Sequence, residues 1–108
     1  MVKNKDIAEA YAHGETHGEA GHIFIDGNII YSYGKHFPIA VKLDDGIILF
    51  NSDGYSNTTA RHKSLVLNAL QGRNIIFKNT EQLKDTIEKG IKSLNELALI
   101  ELEKPLSL

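Results

Sequence analysis

The chain of 108 residues has no cysteine, no tryptophan, one methionine and two prolines. Without a thiol there is no disulfide framework, zinc knuckle, iron–sulfur cluster or cysteine nucleophile, so any metal would need histidine and carboxylate ligands. No apolar run approaches the roughly 20 residues of a membrane span, and the start Met1-Val2-Lys3-Asn4-Lys5-Asp6 lacks the apolar stretch of a signal peptide. The expectation is a cytoplasmic protein without a membrane partner. Disorder is excluded by composition: 42% of the residues are hydrophobic and 24% charged. That suffices for a core, and residues 1–108 read as a single α+β domain.

Acid is missing from the middle of the chain. Residues 55–80 hold no Asp or Glu but four cations, Arg61, Lys63, Arg73 and Lys78, whereas residues 1–54 hold eight acidic against four basic side chains and residues 81–108 six against four. A locally positive stretch attracts phosphate, yet a net charge of −2 is far from the basic balance usual in nucleic-acid binders. A small anion fits these numbers as well as a nucleic acid does.

Periodicity gives the elements. A short helix is predicted over Asp6 to Tyr11, stopped by Gly14, Gly18 and Gly21. Ile23 and Ile25 alternate with His22 and Phe24, and Asp26-Gly27-Asn28 turns the chain into Ile29 to Tyr33 as a hairpin. A second hairpin runs through Ile39, Val41 and Leu43, Asp44-Asp45-Gly46, and Ile47 to Asn51, with Pro38 tolerable at a strand's first position. A helix from about Thr59 to Gln71 follows, capped by Thr58 or Thr59 and closed by Gly72, with Leu65, Val66, Ala69 and Leu70 on one face. Ile75-Ile76-Phe77 reads as one more strand. Asn79, Thr80 and Gln82 start a helix through Leu94 striped by Leu83, Ile87 and Ile91. Residues 97–102 fit strand or helix, and Pro105 ends them. The expected fold is an antiparallel meander of four to five strands packed against two main helices, with a short N-terminal helix.

In a meander, alternate connections share an end. The two Asp-Gly turns then sit at one end, and the other gathers the approach to His22, the loop Gly34-Lys35-His36-Phe37 and the exit Ser52 to Thr59. All five histidines, His13, His17, His22, His36 and His62, are expected there. His62 extends the buried face of its helix, which fits a core-edge histidine bonded to a carbonyl. It also lies near a helix N-terminus, where Ser56, Thr58, Thr59 and free backbone amides make an anion cradle beside Tyr55, Arg61 and Lys63. Arg73 is assigned to the same positive surface, although Gly72-Arg73 also reads as a helix stop with a solvated arginine. His36 reads either as a solvated loop side chain or as the acid–base partner of His62. Thr59 or Ser56 is a nucleophile only beside such a base. His13-Gly14-Glu15 and His17-Gly18-Glu19 repeat at four residues, but three glycines break the helix that would align them. A flexible loop is expected and no metal ligand is assigned. Tyr31 and Tyr33 share a strand face suited to packing or to stacking a base.

Tyr31-Ser32-Tyr33-Gly34-Lys35-His36-Phe37-Pro38-Ile39-Ala40 and Tyr55-Ser56-Asn57-Thr58-Thr59-Ala60-Arg61-His62 together resemble small uncharacterised proteins of phages and mobile elements. These pair Ser-Tyr-Gly-x-His-Phe-Pro with Tyr-Ser-x-Thr-Thr-x-x-His, and the resemblance covers roughly residues 22–78. It implies an accessory role and carries no known activity or cofactor. Three readings stay open. One is binding of a phosphate-bearing ligand, a nucleotide or nucleic acid, through Ser56, Thr58, Thr59, Arg61, Lys63 and Arg73. Another is a phosphodiester hydrolase with His36 and His62 as acid and base, assisted by Tyr55 or Thr59. The third is a structural or partner-binding module.

Overall fold

A computed structural model describes residues 3–103, apart from the side chains of residues 94 and 100–103. The element order is α1 (Asn4–Ala12), β1 (His17–Ala20), β2 (Ile23–Asp26), β3 (Ile29–Ser32), β4 (Pro38–Lys42), β5 (Ile47–Asn51), α2 (Asn57–Ala69), β6 (Asn74–Lys78), α3 (Thr80–Glu88) and α4 (Leu94–Glu103). The strands form one sheet in the order β1-β2-β3-β4-β5-β6. The first five are antiparallel neighbours, and β6 lies parallel to β5.

The side chains of β3, β4 and β5 divide between two cores, by period-2 alternation except at the irregularity between β3 and β4, which sends Ile39 to one core and Val41 to the other. Ile23, Ile25, Ile30, Ile39, Ile48 and Phe50 meet Ile7, Ala8 and Tyr11 of α1 and Val66 of α2 in one cluster. Val41, Leu43 and Leu49 meet Leu83 of α3, Ile91 and Leu97 in the other. The helices thus cover both faces of the sheet, α1 and α2 on one and α3 with α4 on the other. Among the described residues no helix is long and apolar enough to cross a membrane.

The α+β class holds, but among the described residues the sheet has six strands and there are four helices. The extra strand is β1, in the stretch expected to be a flexible loop. It lacks apolar alternation because it is an edge strand, bonded to β2 from His17 opposite Asp26 to Ala20 opposite Ile23. Gly18 has a packing role there: a Cβ would stand 3.3 Å from Ile7 Cδ1 of α1, tighter than ordinary contact, so its absence leaves room for that side chain. The sixth strand departs from a meander because thirteen residues of α2 carry the chain back over the sheet, which makes β5-α2-β6 a crossover unit with parallel strands.

Helix boundaries follow side-chain chemistry. The cap of α2 is Ser56, whose Oγ accepts from Thr59 N at 3.1 Å; Thr58 and Thr59 are already inside the helix. The helix expected to run through Leu94 stops at Glu88. Gly90, at φ +65°, takes the left-handed conformation, and Ile91 N donates back to Thr86 O at 3.1 Å. This is a Schellman ending, and it returns Ile91 to the core by a turn rather than by a continued stripe. The ambiguous stretch from residue 97 is helical in α4, and Pro105 lies outside the described residues.

Candidate functional site

The loop between β3 and β4 and the chain leaving β5 lie at one end of the sheet. Tyr33 turns the first loop with φ +60°, a conformation rare for a residue bearing a ring, and Gly34 follows at φ +103°. Tyr33 is held there by its backbone N–H, which donates to His22 O at 2.7 Å. The second segment is anchored by Asn51, which is fully buried. Its Nδ2 donates to Pro38 O at 2.8 Å and to Thr80 Oγ1 at 2.9 Å, while its Oδ1 accepts from Asp53 N at 2.8 Å. One amide therefore ties β4, the start of α3 and the approach to α2 together.

Where the segments meet, a polar chain is buried. Asn4 Nδ2 donates to His62 Nε2 at 3.2 Å, so the neutral ring carries its proton on Nδ1 and donates to Ser32 Oγ at 2.8 Å. Ser32 Oγ lies 3.1 Å from Thr59 Oγ1, which also accepts from Ser56 Oγ at 3.2 Å. Ser32, Thr59 and His62 are at most 1% exposed. Burial, and secondarily the charge of His22, hold the His62 pKa below the ordinary histidine value. Tyr33 lies between the two imidazoles, stacked on His22 at 4.3 Å between ring centres and 6.2 Å from His62. The core-edge reading of His62 is right in burial, but its partners are side chains rather than a carbonyl. Thr59 is enclosed with it.

The outer rim is aromatic and open. Tyr55, 59% exposed, packs on Phe37 at 5.4 Å and meets the His36 ring edge-on, with Oη 3.3 Å from Nε2. Behind Tyr55, α2 begins. Ser56 Oγ takes the Thr59 amide, and the N–H groups of Asn57 and Thr58, at the first two helical positions, face away from the helix body. Ser56, Asn57, Thr58 and Arg61 are all exposed.

Two other helices also start at this end, and each meets a carboxylate. In α1, Asp6 Oδ2 accepts from Lys3 N at 2.9 Å. In α3, Asp53 Oδ2 accepts from Thr80 N at 2.8 Å and Glu81 lies in the first turn. That amide bond holds the Asp53 carboxyl below the usual carboxylate range. No acidic residue lies in the first turn of α2.

The remaining candidates disperse. Lys63 Nζ donates to Asp53 O at 2.7 Å beside the α2 start. Arg73 does not join this surface: it follows the opposite end of α2, and its guanidinium donates to Ala12 O at 2.8 Å, closing α1. Three histidines, His22, His36 and His62, collect at the site rather than five. His13 ends α1 and His17 begins β1 at the Asp26-Gly27 end, because α1 starts beside His62 and runs away from it. Tyr31 and Tyr33 do not share a face. Tyr31 stacks on Phe24 at 5.1 Å within the sheet, whereas the left-handed backbone turns Tyr33 toward His22. Among the described residues no group of three His, Asp or Glu side chains is placed to hold a metal ion. Asn4, Ser32, Asn51 and Asp53 also build the site without being among the candidates the sequence offers. Only Ser32 had a signal, its place in the first motif.

No curated protein and no solved structure matches the chain. Residues 2–86 match a family of unknown function, DUF8033. The match takes in α1, the whole sheet, both segments that build this site and most of α3, and on that extent the chain belongs to the DUF8033 family.

Proposed function

We propose that this is a small accessory protein, cytoplasmic and of viral or mobile-element origin, that binds a phosphate-bearing ligand, a nucleotide or nucleic acid, at the start of α2. One observation carries the reading. Of the three helices that begin at this end of the sheet, α2 alone has, among the described residues, no acid in its own first turn and no carboxylate bonded to its first amides, and its outward amides emerge beside exposed Tyr55, His36 and Arg61. An anion completes that electrostatic arrangement as Asp53 does for α3. The resemblance to phage and mobile-element proteins supports the stated origin, and both of its motifs lie at this place.

Hydrolysis by His36 and His62 has less behind it. Both ring nitrogens of His62 are bonded inside the protein, and His36 is bonded to Tyr55 instead. Titrating 15N-labelled protein with inorganic phosphate and with thymidine monophosphate is the test. Saturable shifts at the Asn57 and Thr58 amides, reduced in Arg61→Ala, are expected. Unmoved amides at both positions refute the reading. Turnover of bis(p-nitrophenyl) phosphate that disappears in His62→Ala restores the hydrolase.

A further inference from the structure

A helix start strengthens anion binding only about 2- to 5-fold, rising to roughly 30-fold in sheltered geometry, whereas even millimolar binding needs a factor of about 1,000. A ligand held at α2 therefore needs further contacts. The surface beside it offers them. A groove of about 400 Å³ runs between α2 and β6, lined among others by Phe50, Ala60, Lys63, Ser64, Leu67 and Phe77. Its outer wall is β6, the edge of the sheet. Phe77 stands 57% exposed there, resting edge-on against Phe50 at 5.8 Å. The described large hydrophobic side chains left exposed are Tyr55, Phe77 and Leu99. The two aromatic ones flank the first turns of α2.

Charge selects what fits. Lys63 lines the groove, with its ammonium 6.0 Å from the centre of the Phe50 ring. Arg61 borders a neighbouring hollow that shares Ala60 and Ser64 with the groove. The lining residues come from β5, Ser52, α2 and β6, and none of them is acidic. Four acidic side chains, Asp53, Glu81, Asp85 and Glu88, against one cation, Lys84, line a separate depression along α3. A polyanion is thus drawn to the α2 side of the β6 edge and turned away from the α3 side.

We infer that the ligand is single-stranded nucleic acid, its phosphates on the α2 amides, Arg61 and Lys63, and a base stacked on Phe77. Aromatic faces spaced among cations are the chemistry by which single strands are held without sequence readout. From Ser56 to Ser64, α2 rises about 12 Å, so one strand of a few nucleotides reaches both Tyr55 and Phe77. An acidic peptide pairing with β6 would leave Tyr55 and the α2 amides unused. The inference rests on the proposed anion site at α2 and extends it to the groove.

Fluorescence anisotropy with labelled 12-nucleotide oligothymidylate, alongside amide shift mapping on the full chain, tests it. Phe77→Ala should weaken binding roughly 5- to 150-fold, the usual loss for one base–aromatic stack, while Phe77→Trp retains it and the oligonucleotide moves Asn57, Thr58 and Ser64 together. A melting curve of each variant checks folding. If phosphate and thymidine monophosphate move Asn57 and Thr58 but the oligonucleotide binds no tighter and ignores Phe77→Ala, the inference falls and the anion site stands. Should no probe move those amides, both fall. Equal affinity for the matching duplex or for a poly-glutamate peptide also overturns it. So does self-association lost in Phe77→Ala without oligonucleotide binding, which would identify a second copy as the occupant.

Discussion

Stability should fall as the pH drops below about 6.5, and His62 is the cause. Its ring is 1% exposed and neutral, accepting at Nε2 from Asn4 and donating from Nδ1 to Ser32. Adding a proton to Nε2 sets two donors face to face and places a charge in a buried site near His22. Burial first, then that neighbouring charge, depress the folded-state pKa. The unfolded chain takes up this proton near pH 6.5, the folded chain only at lower pH. In that window the unfolded state holds more protons. The contribution is therefore complete above about pH 6.5 and is lost on acidification with a slope of at most about 1.4 kcal/mol per pH unit, levelling off once the folded pKa is passed. Urea unfolding followed by circular dichroism at pH 7.5, 6.5, 5.5 and 5.0, for the wild type and His62→Gln, measures it. Gln keeps an acceptor and a donor but does not titrate, so the difference between the two curves isolates His62. A difference that stays flat across the series, or a His62 ring signal titrating above pH 6.5, refutes the assignment.

The same network predicts that Ser32→Ala is costly. It leaves the buried Nδ1–H of His62 without an acceptor, about 1–3 kcal/mol, and each kcal/mol lowers the melting temperature of a domain this size by roughly 4–8 °C. A loss under about 1 °C by calorimetry would mean that the ring finds another partner. Arg73→Ala is expected to separate stability from binding. It uncovers Ala12 O at the end of α1 and costs about 1 kcal/mol or less, since the side chain is exposed. Phosphate titration should be unaltered, and weaker phosphate binding would return Arg73 to the ligand surface.

What could be read from the sequence was whatever depends on short range. The Asp26-Gly27-Asn28 and Asp44-Asp45-Gly46 turns mark both hairpins, because turn chemistry and alternation lie within ten residues of each other. The strand β1 was hidden, since His17-Gly18-Glu19-Ala20 pairs through its backbone and packs partly through a missing Cβ at Gly18. Neither leaves an apolar pattern. The parallel pairing of β6 was hidden too: Ile75-Ile76-Phe77 reads the same in either direction, and only the passage of α2 across the sheet decides it. At the site, topology brought His36 near Tyr55 and Ser32 near His62, as the shared end of two loops requires. It could not reveal that Asn4, 58 residues before His62, closes the ring's second nitrogen. That contact depends on the direction in which α1 crosses the sheet.

The acid-free middle of the chain looked like one positive patch, and its cations turn out to serve different ends. Arg73 closes α1 at the far end of α2, and Lys63 is tethered by one N–H to Asp53 O while still lining the groove. Arg61, exposed on α2, completes the pair that a ligand reaches from the helix start. Two cations set a quantitative limit. For a single strand, the logarithm of the binding constant falls against the logarithm of salt concentration by about 0.7 per phosphate neutralised, so Arg61 and Lys63 together predict a slope near −1.4. Arg61→Ala should bring it to about −0.7 without touching the Phe77 stack. Measuring oligothymidylate affinity between 50 and 300 mM sodium chloride gives the slope directly. A value of −3 or steeper would require cations well beyond this pair, and the groove would then be one part of a larger basic surface.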